Sequence, residues 1–187
     1  MKKKGLALVL ALTLLVVCVV AGTLAWLTAK SDTVTNTFTT SDIKVELTET
    51  NETYKMVPGY DIHKDPKATV LAGSEECFLF VKLEKSQNFD TFLTYEMAEG
   101  WTLVSGETNV YFRKVLTADI GTAYSVLKGD QVTVKGTVTK EQMNALDAEG
   151  AAKPTLTVTA YASQLHKNAT TEFTAAEAWA NVNPTNP

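Results

Sequence analysis

From Ile43 onward, apolar and polar residues alternate along much of this chain, and a period of two predicts strands. Ile43, Val45 and Leu47 alternate with Lys44, Glu46 and Thr48. Residues 68–71 read as a short strand, and Cys77–Lys85 as the strongest one. There Cys77, Leu79, Val81 and Leu83 share one face, while Phe78 and Phe80 share the other. A strand apolar on both faces at its start is expected in the middle of a sheet. Strands are also predicted over 92–97, 101–104, 109–116 and 131–138. The last long one covers 156–165, with Leu156, Val158, Ala160 and Ala162 inward.

Turns punctuate the pattern. Val57-Pro58-Gly59-Tyr60 has Pro to preset φ and Gly to accept a positive φ. Ala72-Gly73-Ser74-Glu75 and Glu99-Gly100 are further breaks. Two capping boxes, Thr139 with Gln142 and Thr174 with Glu177, open short helices. The first runs to about Ala148, with Met143 and Leu146 on one face, and the second runs through Trp179. Eight or nine short strands with one or two short helices predict an all-β fold, an antiparallel, jelly-roll-like β-sandwich.

The first 25 residues break this pattern. Lys2-Lys3-Lys4 is a basic start, residues 6–20 are apolar, and Ala21-Gly22-Thr23 and Ala25 are small. That is the layout of a secretory signal peptide, expected as a helix ahead of the sandwich. Thr23 and Ala25 suit the −3 and −1 pockets of a signal peptidase, which places the new N-terminus at Trp26. Cleavage after Ala29 is the second choice. An uncleaved anchor is the alternative, because residues 5–29 carry no charge and ~20 apolar residues span a bilayer. On either reading the domain faces outward. The expected organisation is signal peptide 1–25, an N-terminal extended segment 26–40, a sandwich 41–182 and a tail 183–187.

Gly22-Thr23-Leu24-Ala25-Trp26-Leu27, then Ser31-Asp32, Asn36-Thr37-Phe38-Thr39 and the alternation from Ile43, carry a resemblance. The chain resembles exported proteins with a SipW-dependent signal peptide, the TasA and camelysin-like family of Gram-positive bacteria. It departs from the family pattern at Leu27, Ala29 and Ser41, where Phe, Asp and Gly are usual. The resemblance implies a jelly-roll-like sandwich, processing by a SipW-like signal peptidase and a place in a biofilm matrix. It also implies fibres in which the mature N-terminal segment of one subunit completes the sheet of the next. The donor strand would lie within residues 26–38, with Trp26, Leu27, Val34 and Phe38 as its large apolar residues.

Charge removes one class of partner. The whole chain is formally −4; without the first 25 residues it holds 14 basic and 21 acidic groups, near −7. A nucleic-acid binder needs a basic face. The resemblance implies copies of itself or other matrix proteins as partners, with membrane contact only through the leader.

Camelysin-like proteins are classed as metallopeptidases, so the resemblance implies metal ligands among the histidines and carboxylates. His63 and His166 stand far apart in sequence, and neither lies in a His-Glu-x-x-His helix. A catalytic zinc normally takes three protein ligands and a water. No Asp-x-Asp-x-Asp-Gly calcium loop accompanies Asp61, Asp65 and Glu75-Glu76. With the leader gone, Cys77 is alone. It is either a small buried residue in a strand or the site of an intermolecular disulfide. Trp101, Tyr111, Phe112 and Trp179 are core residues or the lining of a glycan groove. No catalytic, cofactor or metal residue is assigned. The expectation is an exported structural protein, secreted or held at the cell surface, and not an enzyme. A monomeric surface-binding module and a camelysin-like protease are the alternatives.

Overall fold

The computed structural model describes residues 42–51 and 53–183. All of them belong to the unit Thr40–Pro187. The expected signal peptide, the whole N-terminal segment 26–40 (including its strand-like residues 33–38) and the tail from 184 lie outside the described residues.

In chain order the strands are β1 (Val45–Thr48), β2 (Asp61–His63), β3 (Lys67–Val70), β4 (Cys77–Lys85), β5 (Leu93–Thr94) and β6 (Thr102–Leu103). They continue with β7 (Val110–Val115), β8 (Ala123–Ser125), β9 (Gln131–Val134), β10 (Leu156–Gln164), β11 (His166–Asn168) and β12 (Thr171–Glu172). Three short helices interrupt them: α1 (Phe89–Phe92), α2 (Lys140–Asp147) and α3 (Ala175–Val182). Every strand pair is antiparallel. The protein is all-β, in several antiparallel sheets.

β4 organises the packing. It lies inside a four-stranded sheet of order β10-β4-β7-β6. Its alternation separates two cores. Cys77, Leu79, Val81 and Leu83 enter the larger core with Ala68 and Val70 of β3 and Val132 and Val134 of β9. That core lies between the four-stranded sheet and two three-stranded sheets, β1-β3-β8 and β2-β9-β5. Phe78 and Phe80 point the other way, into a smaller core with Val104, Val110, Leu165, Ala178 and Trp179. The helix α3 covers this second face. Its capping box is complete: Thr174 Oγ1 accepts from the Glu177 amide, and the Glu177 carboxylate accepts from the Thr174 amide. Thr139 and Gln142 cap α2 in the same way.

Most sheet neighbours are not consecutive in sequence: β4 sits between β10 and β7, and β9 between β2 and β5. Crossing connections of this kind belong to a jelly-roll-like wrap rather than to a meander.

Three local expectations change. The predicted strand 92–97 is mostly not a strand. Phe89, Phe92 and Leu93 are spaced i, i+3, i+4, and Phe89 and Phe92 are buried on the helical turn α1. Only Leu93–Thr94 then pairs with β9. The predicted strand 131–138 stops at Val134, where the Gly59 amide donates to the Val134 carbonyl at 3.0 Å. Gly59 has φ +82°, as its turn requires, and a Cβ added to it would lie 4.0 Å from the Gly136 Cα. The second capped helix runs to Val182, past Trp179.

Candidate functional site

The residues with possible metal or catalytic chemistry do not converge. His63 lies on β2 with its Nε2 3.8 Å from Asp65. His166 lies on β11 with its Nε2 3.4 Å from Glu76. Both carboxylates are engaged locally. Glu76 accepts from the amide and hydroxyl of Thr117, which together with His166 lower its pKa. Asp65 accepts from the hydroxyl and amide of Thr50, and these bonds lower its pKa. Among the described residues no group of three His, Cys, Asp or Glu side chains could hold a metal ion.

Cys77 is fully buried at the start of β4, and burial pushes its thiol pKa up to about 11. A thiol so placed neither ionises readily nor meets another chain, so the small-buried-residue reading holds over the intermolecular disulfide.

The aromatic residues do not form one groove, because they divide between the two faces of the four-stranded sheet. Trp101 and Tyr111 pack against the larger core, Phe112 and Trp179 belong with the smaller one. Each is held there. The Arg113 guanidinium stacks 3.6 Å from the Tyr124 ring centre and 5.3 Å from that of Trp101. Trp101 Nε1 donates to the Ser125 carbonyl at 2.9 Å. Phe112 meets Phe78 edge-on at 5.7 Å between ring centres. Trp179 packs on Phe80 and Tyr161, and its Nε1 donates to Glu107 at 2.9 Å.

Among the described residues one long edge has no paired strand, although β1 lies near it. β10 pairs with β4 over all nine residues, from Leu156 with Lys85 to Gln164 with Cys77. The hydrogen-bonding phase follows from two flanking bonds, Ser86 N–H to Thr155 O and Leu165 N–H to Glu76 O. Odd-numbered residues of β10 therefore bond to β4. The bond from Leu83 N–H to Asn109 O puts the odd residues of β4 toward β7, which agrees. Leu156, Val158, Ala160, Ala162 and Gln164 thus turn their N–H and C=O groups outward. Among the described residues no backbone group bonds to them.

Edge strands are normally blunted by charge, proline, a bulge or brevity. β10 has none of these: LTVTAYASQ is uncharged, proline-free, continuous in register and nine residues long. The other described edges of the three larger sheets, β1, β8, β6, β2 and β5, have two to four residues. Val158, Ala160 and Ala162 face the larger core yet stay only half-buried, so the seam beside β10 is incompletely covered.

At the Leu156 end the seam widens into a cleft of about 690 Å³. Met56, Ile62, Phe89, Leu93, Met143 and Leu146 supply apolar walls. Lys64 stands beside it, nearly buried, with its Nζ 2.7 and 3.0 Å from the two oxygens of Glu49 and 5.5 Å from the Tyr54 ring centre. The Tyr54 hydroxyl donates to the same carboxylate at 2.5 Å.

The processing residues Thr23, Ala25 and Trp26, and the donor-strand residues Leu27, Val34 and Phe38, lie outside the described residues. No helix among the described residues is long and apolar enough to cross a membrane. The signal for the open edge was present in the sequence, as a long β-rich run without charge or proline. Its position at an edge was not. No protein-family model matches the chain, and no curated protein or solved structure matches it.

Proposed function

We propose that this protein is an exported extracellular structural subunit that associates by strand addition. A SipW-like peptidase removes the leader after Ala25, and residues 26–38 of one copy extend the sheet of the next. The observation that carries this reading is the edge of β10, which no strand among the described residues pairs with. Nine uncharged residues offer alternate backbone groups outward, above half-buried Val158, Ala160 and Ala162 that an added strand would cover. Strand addition takes its affinity from such main-chain bonds and its specificity from alternate side chains. The segment 33–38, Thr-Val-Thr-Asn-Thr-Phe, is rich in β-branched residues, and as an added strand it would carry Val34 and Phe38 on one side. The resemblance at residues 22–47 points the same way.

Deletion of residues 26–35 from the mature protein tests the proposal. The truncated chain is expected to keep its circular dichroism spectrum and cooperative melt, and to stay monomeric by size-exclusion where the mature protein associates. Fibres of unchanged appearance in electron micrographs of the deletion would sink it. N-terminal sequencing of the secreted form is expected to begin at Trp26.

A further inference from the structure

The cleft beside β10 has a chemistry that strand addition does not use. Its walls are side chains from separate segments, Met56 before the Pro58 turn, Ile62 of β2, Phe89 of α1, Met143 and Leu146 of α2, and Leu156. Its volume of about 690 Å³ falls in the range of small-ligand sites, which are concave, mostly apolar and marked by a few placed polar groups. Two of the wall residues are methionines, whose unbranched side chains re-pack around partners of different length.

The charges at this cleft run against those of the molecule. The chain is formally −4, yet the cleft is lined by Lys55, Lys64 and Lys153 against one carboxylate, Asp147. Lys64 is answered by Glu49 at 2.7 Å. Lys153 Nζ donates to the Leu146 carbonyl at 2.7 Å and stands 3.7 Å from Asp147, which leaves N–H capacity to spare. Lys55 is exposed and makes no ion pair or side-chain hydrogen bond among the described residues. Apolar walls with unspent ammonium groups beside them fit an alkyl chain with an anionic head. A sugar would leave most of its hydroxyls unbonded against such walls. A neutral chain would make no use of the lysines.

We propose that this cleft binds a free single-chain anionic amphiphile of the fatty-acid class, with its tail between Met56 and Met143 and its carboxylate toward Lys55 and Lys153. Binding is independent of assembly, so a deletion of residues 26–35 that abolishes fibres leaves it intact.

The test is isothermal titration of the mature protein with octanoate, decanoate and dodecanoate below their micelle concentrations, and with decanol. Affinity should tighten by about fourfold per added methylene until the cleft is full. Decanol should bind at least tenfold more weakly than decanoate. Met143→Trp, which fills the cleft, should weaken decanoate tenfold or more. Lys55→Glu changes an exposed residue and should weaken decanoate several-fold without altering the melt; it carries the test alone should Met143→Trp misfold. The proposal is overturned if dodecanoate gives no saturable binding, or if decanol binds as well as decanoate. It is equally overturned if Lys55→Glu leaves affinity unchanged, or if the protein binds only anionic phospholipid vesicles and no monomeric amphiphile.

Discussion

Proline at two adjacent positions of β10 separates the strand's two sides. Ala160 turns its N–H outward, whereas Thr159 donates to Lys82 of β4, its partner in register. Proline lacks the N–H and is tolerated on an edge where that group faced solvent. Ala160→Pro should therefore cost at most about 1 kcal/mol. Its ring lies where a small, half-buried side chain already stands, and the β4 ladder is untouched. Thr159→Pro removes a ladder bond in the middle of the strand and leaves the Lys82 carbonyl without its donor. An unmade buried bond costs about 1–3 kcal/mol. Steric conflict of the ring with β4 adds to that, for a total near 3 kcal/mol or more. For a domain of this size the difference corresponds to roughly 5–10 °C in melting temperature. Urea titration by circular dichroism measures the stability of each variant, and size-exclusion with electron microscopy measures association. Ala160→Pro is expected to melt close to the parent protein and to associate poorly. Thr159→Pro is expected to lose stability first. Equal destabilisation by both prolines would refute the assigned hydrogen-bonding phase. Undiminished association of a well-folded Ala160→Pro protein would refute β10 as the joining edge.

Two further outcomes concern titration and access. Glu177 has its pKa depressed to about 2 by Lys167 and by the amide and hydroxyl of Thr174. Its stabilising contribution is therefore complete above its unfolded pKa of about 4.5 and lost as pH falls through about 2. Melting temperatures of the parent and of Glu177→Gln should differ above pH 5 and converge between pH 4.5 and 2; a constant gap across that window would contradict the cap. Cys77, buried with its thiol pKa raised to about 11, should resist Ellman's reagent at pH 8 in the folded protein and react after unfolding in urea. Prompt reaction in the native state would mean that the start of β4 is not enclosed.

β4 was legible residue by residue because Cys77, Leu79, Val81 and Leu83 alternate along one face while Phe78 and Phe80 open the other, one face for each core. The capped helices were legible because Thr139 with Gln142, and Thr174 with Glu177, are local devices whose bonds join residues three apart. β2, β8 and β11 were not found. Each has three residues, too short for a period of two to stand out, and β2 and β8 are strands because β9 and β3 hold them. α1 was misread because Phe92, Leu93 and Tyr95 look extended until Phe89 is counted with them. The assignment of β10 to an edge depended on which strands lie beside β4, a long-range fact absent from any local window. The cleft joins segments around residues 55, 63, 90, 145 and 155, and no motif marks such a meeting. The division of the aromatic residues between two faces followed from parity along β7 once Tyr111 and Phe112 were adjacent on one strand.

The position of β10 also sets a schedule. β4 is made early and its long partner late, so the backbone groups that Cys77–Lys85 turns toward β10 have no lasting partner until the chain has extended to Gln164. Pairings between such distant segments close slowly, and the chain stays open and at risk of aggregation while it waits. Time is thus built into the topology. On the proposed export route, a chain held unfolded until it has crossed the membrane gains from a fold whose central sheet is completed almost last.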